Sequence, residues 1–159
     1  MEKTLFKLDF FCSNLGLDYI ITGTTALYLN GFPMPSKPKD IDILVTKDLT
    51  PEQVEAIKMQ EFISGLEKVD YPDSKVWAFY IDKVKVNIIV SGFSKEALIE
   101  SSNSILLGSE KDHKFLVKVQ KVKPALEDKM FLARDKDRKF MLDVFYELVF
   151  ISKCKCSMI

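Results

Sequence analysis

The sequence predicts an α/β (α+β) fold, a mixed sheet flanked by helices and closed by a C-terminal helical segment. Three observations carry this expectation. Short runs rich in β-branched residues alternate with segments whose apolar residues recur at helical spacing. The predicted order is helix, strand, helix, strand, helix, strand, strand, helix, strand, helix, helix, which layers helices on a sheet. The chain has 159 residues, enough for one core and too few for two comfortable ones. With no internal repeat and no linker, residues 1–159 read as a single domain, a sheet-containing core over about 1–122 and helices over about 123–152.

Each element has its own warrant. "EKTLFKLDFFCSNLGL" places Leu5, Leu8, Phe11, Cys12 and Leu15 at helical spacing, and Gly16 stops it. "DYIIT" reads as a short buried strand, Gly23 turns the chain, and "TTALYLN" starts a helix there. "GFPMPSKPK" is a loop, because its three prolines remove amide donors and fix φ. "DIDILVT" is the second strand. "TPEQVEAIKMQEFISGLEKV" reads as one helix, with Thr50 as N-cap, Pro51 in the first turn and Gln53 in capping-box position. "VWAFYID" and "VKVNIIV" flank Asp82-Lys83, a tight hairpin whose face Trp77, Phe79 and Ile81 turn to the core. "SKEALIESSNSIL" reads as an amphipathic helix and "KFLVKVQKV" as a strand. Two helices end the chain, at about 123–133 and 137–152.

Composition narrows the classes of partner. Hydrophobic residues make up 47% and charged residues 29%, an ordinary globular balance. Lys plus Arg and Asp plus Glu both number 23. That balance gives no long-range attraction for nucleic acid or an anionic membrane, a local basic patch aside. Cys12, Cys154 and Cys156 make no disulfide framework. An odd count, a charged "MEKTLFK" start and no secretory signal point to a reducing cytoplasm. Cys154 and Cys156 lack a second metal-ligating pair and read as a tail. No apolar run approaches the ~20 residues that a membrane span requires.

The chemistry is concentrated at Asp40 and Asp42. Residues two apart in a strand share a face, so the two carboxylates project together while Ile41, Ile43 and Val45 face a core. Two carboxylates that close repel unless a cation sits between them or both reach water. Paired hard oxygen ligands suit Mg²⁺ (or Mn²⁺), ions that commonly hold substrate phosphates as well. A solvated strand end is the plain alternative. Upstream, Gly23 lets the backbone approach a ligand closely, and Thr24 and Thr25 open a helix whose free amides suit an anion. A phosphate cradle beside a metal site is the arrangement these two features make together.

At this point the sequence resembles the nucleotidyltransferase-fold superfamily, the polymerase-beta-like minimal enzymes, and more closely its AbiEii-type toxin branch. Members commonly read Gly-Gly-Thr-Ala-Leu and then Lys-Asp-Ile-Asp-Leu. Here stand Gly23-Thr24-Thr25-Ala26-Leu27 and Lys39-Asp40-Ile41-Asp42-Ile43. "EDKMFLARDKDRKFMLDVFYEL" looks like the branch's paired C-terminal helices, with Lys129 in the first and Lys139 and Asp143 in the second.

The resemblance implies a metal-dependent enzyme that transfers a nucleotide from a nucleoside triphosphate to a hydroxyl and releases pyrophosphate. Asp40 and Asp42 would be the catalytic metal ligands. Gly23, Thr24, Thr25 and Lys39 would hold the triphosphate, and Lys129 or Lys139 would neutralise phosphate charge. The acceptor is an RNA end, a protein or a small molecule, and the branch implies an antitoxin partner. The family's third carboxylate falls at Asn87, which has an oxygen to lend but no charge and no basicity. Lys85, on the same strand face, disfavours a second ion there. Gly-Thr for Gly-Gly is a milder departure, and Phe140 stands where relatives often carry Asp. These departures keep a second expectation open, a catalytically degraded binding or regulatory module. Outside the resemblance, His113 and the basic run of residues 134–139 read as solvent-facing, the latter with a polyanion as the alternative.

Overall fold

The computed structural model describes residues 1–34, 36–72, 74–108, 114–132 and 134–157, with side chains up to Tyr146. His113 and the side chains of Cys154 and Cys156 lie outside the described residues. In chain order the elements are α1 (Glu2–Asn14), β1 (Tyr19–Thr22), α2 (Gly23–Leu29), β2 (Asp40–Val45), α3 (Pro51–Lys58), β3 (Ile63–Asp70), β4 (Lys75–Ile81), β5 (Val84–Val90), α4 (Lys95–Glu100), β6 (Ser102–Gly108), β7 (Lys114–Gln120), α5 (Val122–Leu132) and α6 (Asp135–Ser157). The strands form one mixed sheet in the order β3-β4-β5-β2-β1-β7-β6. The β2–β5 and β1–β7 pairs are parallel. The remaining neighbours are antiparallel.

The α/β expectation holds, and the local signals explain where the chain turns. Thr50 caps α3: its hydroxyl accepts from the Gln53 amide, and the Gln53 side chain accepts in return from the Thr50 N–H. Asp82 and Lys83 both have positive φ, 47° and 72°, the backbone of a two-residue type I′ turn between β4 and β5. The core lies on one sheet face. Leu5, Leu8, Phe11 and Cys12 of α1 pack there against Ile21, Ile41, Ile43, Phe79, Ile81, Val86, Ile88 and Val117. Because β2 alternates, burying Ile41, Ile43 and Val45 leaves Asp40 and Asp42 on the opposite face.

Two helices were shorter than the sequence predicted, and each gave way to a strand. The helix starting at Pro51 ends at Lys58, and the chain continues into β3. Ile63, Leu66 and Val69 recur every third residue and so mimic a helical stripe. In the fold, β3 carries a register shift between Ser64 and Glu67 against β4, with Gly65 at φ +68°. A bulge of that kind breaks the period of two that marks a strand. Similarly, α4 ends at Glu100, and residues 102–108 are β6, paired from Ser102↔Gln120 to Gly108↔Lys114.

Candidate functional site

Gly23 ends β1 at φ +66° and starts α2. A Cβ built at this position would lie 3.0 Å from Asp42 Oδ2. The glycine therefore serves two purposes: it adopts a left-handed turn, and it keeps the space beside one carboxylate oxygen clear. The other oxygen of Asp42 is held from the opposite side. Asp42 and Asn87 are partners across the β2–β5 ladder, and Asn87 Nδ2 donates to Asp42 Oδ1 at 2.8 Å. Asp42 thus points one bonded oxygen at β5 and one toward the Gly23 turn.

Asp40 opens β2 and is exposed. Its backbone carbonyl accepts from Thr25 Oγ1 at 2.7 Å, a bond that ties α2 to the strand start. Thr25 is buried and so works as a fastener. Thr24, its neighbour, lines a cleft of about 230 Å³ with Met34, Ser36, Lys37, Pro38, Lys39, Asp40, Asp42, Lys136 and Phe140. Of the predicted site residues, Gly23, Thr24, Lys39, Asp40, Asp42 and Asn87 are brought together here. The α2 helix has only seven residues, so its dipole is short, and the lysines Lys37, Lys39 and Lys136 are the stronger anion partners.

Lys129 and Lys139 are placed differently. Lys129 Nζ lies 3.6 Å from Asp137 Oδ1 and 4.5 Å from the centre of the Phe140 ring. Its side chain is 11% exposed and that of Asp137 2%. Asp137 sits in the first turn of α6, where Arg134 Nε and Nη2 donate to its two oxygens at 2.6 and 3.2 Å and the Arg134 N–H adds a third bond. Burial alone would raise the Asp137 carboxyl. The Arg134 bonds and the charges of Arg134 and Lys129 outweigh it and hold the group below the usual carboxylate range. Lys129 fares worse. Burial lowers it more than Asp137 restores it, and Arg134 and Lys136 repel it further. Its ammonium is engaged behind Phe140, whereas Lys139 is exposed on α6. Met34, Ser36, Lys37, Pro38, Lys136 and Phe140 line the cleft as well, and the sequence reading assigned none of them to the site. The spacing of four puts Lys136 and Phe140 on one face of α6, but nothing local says what that face meets.

A polar row extends the site across the sheet. Thr22 faces Asp42 across the β1–β2 ladder, and its hydroxyl donates to Gln120 Oε1. Gln120 Nε2 donates in turn to Asp128 Oδ2 at 3.0 Å. The donor set bears on metal binding. Asp40 and Asp42 offer hard anionic oxygens on one face, and Asp42 Oδ2 is not the oxygen that Asn87 holds, a donor set that suits one Mg²⁺-like ion. Among the described residues, no group of three or more His, Cys, Asp or Glu side chains is placed to hold a metal. Nor is any helix among them long and apolar enough to cross a membrane.

No protein-family model matches the chain. No curated protein matches it either. Among solved structures, it is similar to TM1012, a nucleotidyltransferase candidate from Thermotoga maritima, with a TM-score of 0.60 and 17% identity over 91% of this chain and 92% of that one. JHP933 from Helicobacter pylori aligns at a TM-score of 0.40 and 18% identity, over 70% of this chain and 47% of its own. A nucleotidyltransferase candidate from H. pylori aligns at 0.38 and 15%, over 70% and 48%. The chain spans about half the length of these two H. pylori chains. The likeness to TM1012 is one of fold: the chain has a nucleotidyltransferase-like fold.

Proposed function

We propose that the chain is a nucleotidyltransferase of the AbiEii type, which binds a nucleoside triphosphate with Mg²⁺ (or Mn²⁺) and transfers the nucleotide to a hydroxyl acceptor. The observation that carries this reading is the approach of Gly23 to Asp42, which sets an open carboxylate pair beside a lysine-lined cleft. In the transfer, the acceptor oxygen bonds to the α-phosphorus and the bond to the β-phosphate breaks. The electron pair leaves on pyrophosphate, and the hydroxyl proton passes to water at the exposed edge of Asp40. Asp40 and Asp42 would hold the cation, which when bound neutralises phosphate charge and aligns the triphosphate. Lys37, Lys39 and Lys136, which line the cleft, would neutralise the remaining phosphate charge, and Asn87 fixes the Asp42 carboxylate. A cytoplasmic setting and an antitoxin partner accompany the AbiEii-type reading. RNA ends, protein hydroxyls and small molecules are the acceptor classes.

One observation favours a second reading. Asn87 donates to Asp42 where a third carboxylate would supply charge and a base, as expected of a module that binds a triphosphate without transferring it. The test is incubation with each labelled triphosphate, Mg²⁺ or Mn²⁺ and total cell extract. Label on an acceptor with wild type, and none with Asp40→Ala/Asp42→Ala, supports transfer. A thermal shift with Mg²⁺ and triphosphate but no labelled acceptor supports the binding module. Absence of both would end the nucleotide reading.

A further inference from the structure

Lys85, which the sequence places on the face of Asn87, has a fixed position on the sheet. In the parallel β2–β5 ladder, Asp40 is the register partner of Lys85 as Asp42 is of Asn87. Register partners in adjacent strands share a face, and the strands lie roughly 4.8 Å apart. Four side chains therefore form a square on the face that carries the site: Asp40 and Asp42 on β2, Lys85 and Asn87 on β5. Beyond Lys85 on that face lies Tyr80, and beyond Asn87 lies Ala78. Neither brings a carboxylate. Among the described residues no ion pair engages Lys85 or Asp40. The half-buried lysine has a stem long enough to bring its ammonium to the β5 side of the Asp40 carboxylate.

Two-ion sites hold their cations roughly 3.5–4 Å apart, bridged and flanked by carboxylates. Here the corner that a third carboxylate would occupy is an amide already bonded to Asp42, and the corner next to it carries a positive charge. We propose that this site takes one divalent cation, and that the Lys85 ammonium supplies the positive charge that a second ion brings elsewhere. This rests on the proposed triphosphate site and sets its charge arrangement. Asp42 Oδ2, the oxygen that Asn87 does not hold, would bind the cation together with the Asp40 carboxylate, and Lys85 stands on the β5 side. Lys85 is then a positioning residue. It compensates Asp40 and keeps the acceptor side free of a second metal.

The test counts ions without relying on turnover. Mn²⁺ is measured by equilibrium dialysis at saturating inorganic tripolyphosphate, which carries the phosphate chemistry without a base. The expected result is one Mn²⁺ per chain for wild type and two for Lys85→Met/Asn87→Asp, with circular dichroism to confirm that the variant is folded. Two ions in wild type would overturn the inference and leave the triphosphate site standing. A folded double variant that still takes one would also overturn it. Zero ions in wild type would remove both the inference and the site it rests on. The wild-type count decides the matter even if the variant does not fold.

Discussion

Replacing Gly23 with alanine separates the cost of a backbone from the cost of a site. Besides Gly65 in the β3 bulge, three glycines have a left-handed φ: Gly16 at +67°, Gly23 at +66° and Gly31 at +76°. A Cβ at Gly16 or Gly31 meets nothing within 4 Å, whereas at Gly23 it meets Asp42 Oδ2 at 3.0 Å. Left-handed backbone costs alanine about 1–2 kcal/mol. The stiffer unfolded chain returns about 0.4–1 kcal/mol. Gly16→Ala and Gly31→Ala should therefore each lose about 1 kcal/mol, or roughly 2–4 °C in Tm for a chain of this length. At Gly23 the carboxylate must also turn away, which strains its bond from Asn87. A hydrogen bond to a charged group contributes about 1.5–3 kcal/mol, and half-burial places this one at the low end. Gly23→Ala should lose about 2–3 kcal/mol in all, two to three times the control shift. The assay is thermal melting by circular dichroism, run with and without Mg²⁺ and tripolyphosphate. Only Gly23→Ala should lose the ligand-induced shift. Equal losses in all three variants, with the ligand shift intact, would refute the argument that this glycine clears space for the carboxylate.

Three further outcomes follow from the charges and burial. Asp40→Ala/Asp42→Ala should abolish the Mg²⁺–triphosphate thermal shift, about 2.7 kcal/mol at ligand a hundredfold above Kd, and raise ligand-free stability by relieving repulsion; an unchanged shift would place the ligand elsewhere. Asp137→Ala strands the Lys129 ammonium, and breaking a buried pair costs about 3–5 kcal/mol. With Arg134 48% exposed, about 3 kcal/mol is expected in urea unfolding, partly recovered by adding Lys129→Met. Because the Asp137 carboxyl is depressed, its contribution is complete above the ordinary carboxylate pKa of about 3.9 and is lost as pH falls through its lower folded value. The variant should show a shallower acid limb. Burial, with Asp9 adding to it, pushes the Cys12 thiol up to about 12, and burial and the Asp9 bond raise Tyr19 too. The unfolded chain gives up the Cys12 proton first, so stability holds below about pH 9 and falls toward pH 12 by about 1.4 kcal/mol per unit for that group. Cys12→Ala should flatten that limb in melts run across the alkaline range.

The half of the fold that carries chemistry was legible because its signals are local. Gly23, the alternation of Asp40 to Val45, the Thr50–Gln53 box and the Asp82-Lys83 turn each state their geometry within a few residues. The strands at 63–70 and 102–108 were not legible, because their own residues keep no strict period of two, although each pairs with the strand that follows it. The β3 strand is held by β4 through a bulge, and β6 by β7. In the site, the Asp42–Asn87 neighbourhood was anticipated only through the family resemblance, which puts a third carboxylate on the strand after the hairpin. The cleft role of Lys136 and Phe140 depends on how α6 lies over the start of β2, a tertiary relation that no short window contains. The burial of Lys129 behind Asp137 is of the same kind.

The loop between Asn30 and Asp40 forms one wall of the cleft, through Met34, Ser36, Lys37, Pro38 and Lys39. None of these residues takes part in a strand ladder, whereas Asp40, Asp42 and Asn87 are pinned in one. On the proposed function, reactivity and selectivity are therefore carried by separable parts of the chain. A combinatorial library confined to Met34, Ser36 and Pro38 would redraw the wall against which a ligand lies while the lysines and every carboxylate kept their places. Drift in the same loop would let descendants of this scaffold exchange one guest for another and keep their chemistry unchanged.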